Sequence, residues 1–112
     1  MNPIQLTKLL SDEQKLMILS STFRVPKSIN DLSTTLGIPL TACYRRTKEL
    51  EKAGLIEQTE RVLTKEGKRV SLYRSNLKSA YLTFEDGRMR SYLEISGIGT
   101  VEDTRQYNNL IS

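Results

Sequence analysis

The sequence predicts an α+β fold in which three short helices precede two β-hairpins, and three observations carry that expectation. Serine-led caps open two stretches whose apolar residues recur at helical spacing; Gly37-Ile38-Pro39 separates the second from a third helical stretch; and beyond Gly54 the pattern turns to β-branched and aromatic runs divided by turn residues.

Ser11-Asp12-Glu13-Gln14 has the form of a capping box, so a first helix is expected from about Asp12 to Thr22, stopped before Pro26. Leu16, Leu19 and Phe23, with Met17 beside them, give it an apolar face. The preceding Asn2–Leu10 carries Ile4, Leu6, Leu9 and Leu10 and reads as an extra helical turn or a short packing arm. Ser28 and Asp31 repeat the capping arrangement, Ile29, Leu32 and Leu36 share one face, and Gly37 supplies the left-handed residue that ends many helices. A third helix follows from Pro39 or Leu40 to Lys52, since proline suits a helix's first turn, and it ends at Ala53-Gly54. Two short helices joined by a tight glycine-containing turn make a helix-turn-helix.

Leu55–Leu63 and Arg69–Arg74 flank the polar turn Thr64-Lys65-Glu66-Gly67-Lys68, a hairpin with a bulge or long loop. A second hairpin is centred on Asp86-Gly87; pairing Glu85 with Arg88 puts Ala80, Leu82, Phe84, Met89, Ser91 and Leu93 on one face, and sets Tyr81 against Tyr92 on the other. Beyond Ile95, Ser96-Gly97-Ile98-Gly99 reads as a flexible joint, and Val101, Tyr107, Leu110 and Ile111 form a weak helical pattern. Residues 97–112 are therefore expected to be a flexible or weakly helical tail.

A length of 112 residues suits a modest core but not a deep catalytic pocket with its supporting shell. The net charge of +4 is mild, but residues 41–79 hold ten basic against five acidic side chains, so the positive charge lies in the middle of the chain. Cys43 is the only cysteine and histidine is absent, which removes an intramolecular disulfide and the common zinc, copper and iron ligand sets. The expected setting is a reducing cytoplasm, with no cofactor. No apolar run approaches the ~20 residues that cross a bilayer, and no leader pattern opens the chain. Carboxylate pairs such as Glu49-Glu51 and Glu85-Asp86 lack a His, Ser or Cys partner motif, so enzymatic activity is not expected.

On the third helix, Leu40, Cys43, Thr47 and Leu50 form the core stripe, which makes Cys43 a small buried hydrophobe rather than a redox sensor. The complementary face carries Thr41, Ala42, Tyr44, Arg45, Arg46 and Lys48. Taken alone, such a face is more often simply a solvated surface. A basic hairpin directly behind it adds a second element, because the major groove admits one α-helix while flanking cations hold register on phosphates.

The whole arrangement resembles the winged helix-turn-helix domain of prokaryotic regulators of the ArsR, TrmB and MarR type. "LSDEQKLMIL" is similar to their first helix, "SINDLSTTLGIP" to the second helix and turn, and "RRTKELEKAGLI" to the recognition helix running into the wing. The resemblance covers residues 11–74, so a winged helix-turn-helix DNA-binding domain is expected over residues 1–77, and the second hairpin is expected to form a separate element at 78–96 for packing or dimerisation. It implies that Thr41, Ala42, Tyr44, Arg45 and Arg46 read bases or enter the groove, and that Arg61, Lys65, Lys68 and Arg69 track phosphate from the wing. It further implies a homodimeric regulator of double-stranded DNA, a repressor acting by promoter occlusion. The metal-sensing motifs of ArsR members are missing, so the likeness is to archaeal-style members without a metal switch and leaves the signal open. The apolar hairpin face of Leu82, Phe84, Met89 and Leu93, or the N-terminal Ile4, Leu6 and Leu9, supplies the dimer interface. The competing expectation is a winged-helix module for protein contacts without specific DNA binding.

Overall fold

Asn2 and Gln5 close a reciprocal capping box at the start of α1 (Pro3–Leu10) in a computed structural model that describes residues 1–107. Pro3 sits in the first turn, where a missing amide costs nothing. The N-terminal stretch is thus a complete helix. Ser11 ends α1 as its C-cap, its amide donating to the Thr7 and Leu9 carbonyls, so the expected Ser11–Gln14 box at the next helix is replaced by this closing role.

The chain divides into two units, one spanning Glu13–Asn76 and the other joining Met1–Asp12 to the chain from Leu77 onward. The second stretch of the divided unit begins at Leu77. The first twelve residues, however, group with the C-terminal strands rather than with the helix-turn-helix.

The continuous unit opens with α2 (Glu13–Ser21). Its buried stripe is Ile18, Leu19 and Thr22 rather than Leu16, Leu19 and Phe23; Phe23 is exposed. The phase shift is possible because the Thr22 hydroxyl donates to the Ile18 carbonyl at 2.9 Å, which lets a polar side chain occupy a core position at little cost. α3 (Ile29–Leu36) starts at Ser28, whose hydroxyl accepts from the Asp31 amide at 3.1 Å, and ends at Gly37 with φ of 69°. α4 (Leu40–Lys52) begins after Pro39 and closes at Ala53, with Gly54 again left-handed. Leu32, Ile38, Cys43, Leu50, Leu55 and Ile56 are buried with Ile18 and Leu19 as the core; full burial of each such side chain contributes about 1.5–3 kcal/mol.

β1 (Ile56–Leu63) and β2 (Arg69–Ser75) pair antiparallel, from Ile56 opposite Ser75 to Leu63 opposite Arg69, with a bulge between Gln58 and Glu60. The turn is closed by Thr64, whose amide donates to the Lys68 carbonyl and whose hydroxyl accepts from the Lys68 amide. Lys27 and Tyr73 exchange backbone hydrogen bonds at 3.0 and 2.9 Å, a short third strand that sequence pattern did not reveal. It fixes the base of the hairpin to the connection between α2 and α3.

In the other unit, β3 (Leu77–Glu85), β4 (Arg88–Ile95) and β5 (Gly99–Gln106) form an antiparallel sheet with β4 in the centre. The Asp86-Gly87 turn has both φ angles positive, at 53° and 75°, and imposes the expected register, with Glu85 opposite Arg88 and Tyr81 opposite Tyr92. β5 corrects the expected tail. Residues 99–106 are a strand paired along the whole of β4, because the open edge of β4 supplies backbone partners that the polar sequence of β5 does not advertise. Leu110 and Ile111 lie outside the described residues. α1 packs on this sheet, and the Ser91 hydroxyl donates to the Met1 carbonyl at 2.7 Å. Leu6, Leu9, Leu93 and Ile95 are all buried. Among the described residues, no helix is long and apolar enough to cross a membrane.

Candidate nucleic-acid interface

α4 turns its core stripe of Cys43, Thr47 and Leu50 inward, which dictates what the opposite face presents. Thr41, Tyr44 and Arg45 are exposed there, Ala42 and Arg46 are half-buried at one flank, and Lys48 is half-buried at the other. Leu40 departs from the expected stripe: it is 52% exposed, because it is the first helical residue and the chain behind it arrives through Ile38 and Pro39 rather than covering it. Cys43 is fully buried, its thiol directed at the Ile29 carbonyl at 3.7 Å, and burial pushes its pKa up. A protonated, covered thiol is unreactive, as the sequence suggested.

The charged groups on α4 are organised by carboxylates. Glu49 accepts Lys15 of α2 at 2.8 Å and Arg45 at 3.0 Å, and these two cations hold its carboxyl below the usual range, Lys15 contributing most. Arg45 remains largely solvent-facing, and one ion pair leaves its guanidinium with further N–H donors to offer. Lys48 is committed differently. It donates to the Tyr73 hydroxyl at 3.0 Å and to Glu51 at 3.3 Å, and its ammonium stands over the Tyr44 and Tyr73 rings; the Tyr73 bond first, then Glu51, raises its pKa. The sequence placed Lys48 on the same helix face as Thr41, Tyr44 and Arg45, and its side chain joins α4 to β2.

Between these elements lies a cleft of about 600 Å³, walled by the start of α3, by Leu40, Thr41, Tyr44 and Lys48 of α4, and by Val70, Ser71 and Tyr73 of β2. Arg61, Lys65, Lys68 and Arg69 are all exposed on the hairpin, Lys65 and Lys68 within its turn. One unit therefore brings together an exposed helix face and a basic hairpin, 13–76 carrying twelve basic against seven acidic residues. An arrangement of this kind offers hydrogen-bond donors, apolar surface and cations to a polyanionic duplex.

The proposed interface residues of the second hairpin fare unequally. Leu93, at 2% exposed, is covered within its own chain, as are Leu6 and Leu9, so these three are unavailable to a partner without unfolding. Leu82 and Met89 are half-buried, and Phe84 is 69% exposed near the hairpin tip.

A family model described as winged helix-turn-helix DNA-binding matches residues 26–57, the stretch from Pro26 through α3 and α4 to the start of β1. Comparison with curated proteins finds no match.

Proposed function

We propose that this protein is a transcription regulator that binds specific sites on double-stranded DNA, with α4 in the major groove and the β1–β2 hairpin on the flanking backbone. The observation that carries this reading is the outward face of Thr41, Tyr44 and Arg45, set beside four exposed cations on the hairpin, in a stretch similar to winged helix-turn-helix DNA-binding proteins. Thr41, Tyr44 and Arg45 reach base edges, and Ala42 permits close approach at the flank. Arg46 supports the same face, while Lys48 positions Tyr44 and the wing. Arg61, Lys65, Lys68 and Arg69 supply sequence-independent affinity through phosphate contacts.

Two copies act together in this proposal, because one recognition helix reads too few base pairs for genomic selectivity. The exposed Phe84, with Leu82 and Met89 on the same sheet face, provides the contact between copies. The dimer spans two half-sites about 34 Å apart and represses by keeping polymerase off the promoter, as the likeness to ArsR, TrmB and MarR regulators suggests. A reducing cytoplasm is the corresponding location.

Selection of bound duplexes from a random pool tests the core of this reading. A shared, near-palindromic motif is expected. Recovery of no motif, together with binding of an acidic protein surface through Tyr44 and Arg45, would replace it with the protein-contact module.

A further inference from the structure

Leu40 and Tyr44 stand one helical turn apart on α4, 52% and 55% exposed, on the wall of the cleft that faces β2. Neither is required by the core, which Cys43, Thr47 and Leu50 already fill from this helix. They lie at the start of α4, and the N-terminal residues of a recognition helix are those that meet base edges. Apolar side chains carried into a groove lined by hydrogen-bonding groups dehydrate those groups without pairing them, a cost avoided where an apolar group meets them. The major groove presents one such group, the C5-methyl of thymine. The exposed cations at Arg45, Lys65 and Lys68 make the duplex, rather than an apolar peptide, the complementary occupant of this surface.

We infer that Leu40 and Tyr44 form an apolar reader of thymine methyl groups, so that the site's sequence preference is set in part by methyl contact rather than by hydrogen bonds alone. The inference rests on the proposed DNA-binding function and goes beyond it by naming the base and the chemical group recognised. Thr41, between them in sequence, adds a methyl and a hydroxyl to the same surface. Lys48 stands over the Tyr44 ring while bonded to Tyr73 of β2.

Replacement of thymine by uracil tests this directly, because uracil lacks the methyl group but keeps every hydrogen-bonding group of the pair. Using a duplex recovered from the random pool, the full chain should bind about fourfold more weakly for each contacted thymine replaced by uracil, the effect of one buried methyl. The variant carrying Leu40→Ala and Tyr44→Ala should bind the thymine duplex more weakly and show no further loss with uracil. Both side chains are exposed, and circular dichroism checks that the variant is folded. Equal binding of thymine and uracil duplexes by the unaltered protein overturns the inference while leaving DNA recognition intact. A uracil penalty that persists in the double variant also overturns it, since the methyl groups are then read elsewhere. Absence of any duplex binding removes the proposed function and this inference with it.

Discussion

Lys48 donates to the Tyr73 hydroxyl at 3.0 Å while its ammonium stands 5.4 Å from the centre of the same ring. This bond spans α4 and β2, so the angle between the helix face and the hairpin is held by a side-chain contact as well as by backbone pairing. The Lys27–Tyr73 backbone exchange anchors the same residue from the other side.

Removing the two partners singly and together should reveal coupling. Tyr73→Phe keeps the ring and deletes the hydroxyl, and Lys48→Met keeps the stem and deletes the charge. The expected interaction energy in denaturant unfolding is about 0.5–1 kcal/mol, below that of a buried charged hydrogen bond because the ammonium is partly solvated. Because the Lys48 pKa is raised, this coupling is full at neutral pH and fades only in strong alkali, as pH rises through the folded-state value. Additive single effects at pH 7 would show that the hydroxyl and ammonium act independently.

Glu49 bridges α2 and α4 through Lys15, and its carboxyl is held below the usual range. A carboxylate whose folded-state pKa is depressed adds stability above its unfolded value, about 4.3, and loses it as pH falls through the lower folded value. Glu49→Gln should therefore cost about 0.2–1 kcal/mol at pH 7, and the difference from the unaltered protein should shrink below pH 4. Denaturant midpoints measured at several pH values check this, and a difference that grows in acid would reverse the assignment.

Arg45 and the wing cations should fail in different ways. Arg45→Ala should weaken binding to the selected site by about 1–3 kcal/mol and relax its sequence preference. Neutralising Lys65, Lys68 and Arg69 together should weaken all duplexes alike, and should flatten the plot of log affinity against log salt by about 0.9 per lost phosphate contact. An unchanged slope would take the wing off the DNA, and equal loss on specific and random duplexes would remove Arg45 from base reading.

Phe84 and Leu93 share a sheet face but differ in exposure, 69% against 2%. Phe84→Asp should yield a folded monomer with much weaker operator binding. Leu93→Asp should disrupt the unit formed by α1 and the sheet, by several kcal/mol, since it buries a charge in a core. Light scattering with circular dichroism separates these results, and an unaltered dimer after Phe84→Asp would move the interface elsewhere.

Where local chemistry dictates conformation, the sequence was sufficient. Ser28 and Gly37 bracket α3 because a cap and a left-handed residue each act within a few positions, and Asp86-Gly87 sets the β3–β4 register because a two-residue turn permits no other pairing. β5 escaped notice because Thr100 to Gln106 is polar apart from Val101, and its pairing is imposed by β4. The Lys27 bridge is too short to carry any periodicity. Within the candidate site, the outward position of Thr41, Tyr44 and Arg45 followed from the placement of Cys43, Thr47 and Leu50. Leu40 and Lys48 did not follow. Spacing alone cannot tell that a first-turn leucine is left uncovered, or that a lysine's partner is a tyrosine 25 residues away.

α1 and the strands it packs on lie on opposite sides of Glu13–Asn76 in the chain. During synthesis α1 leaves the ribosome well before those strands, and an eight-residue helix cannot hold together in water without a surface to lie on. Glu13–Asn76 is continuous and has its own core, so it can close as soon as β2 emerges. Leu6 and Leu9 stay uncovered through all of that interval. They become covered only when β4 and β5 have been translated, so α1 folds after a segment that follows it in the chain and is open to chaperones and proteases until then.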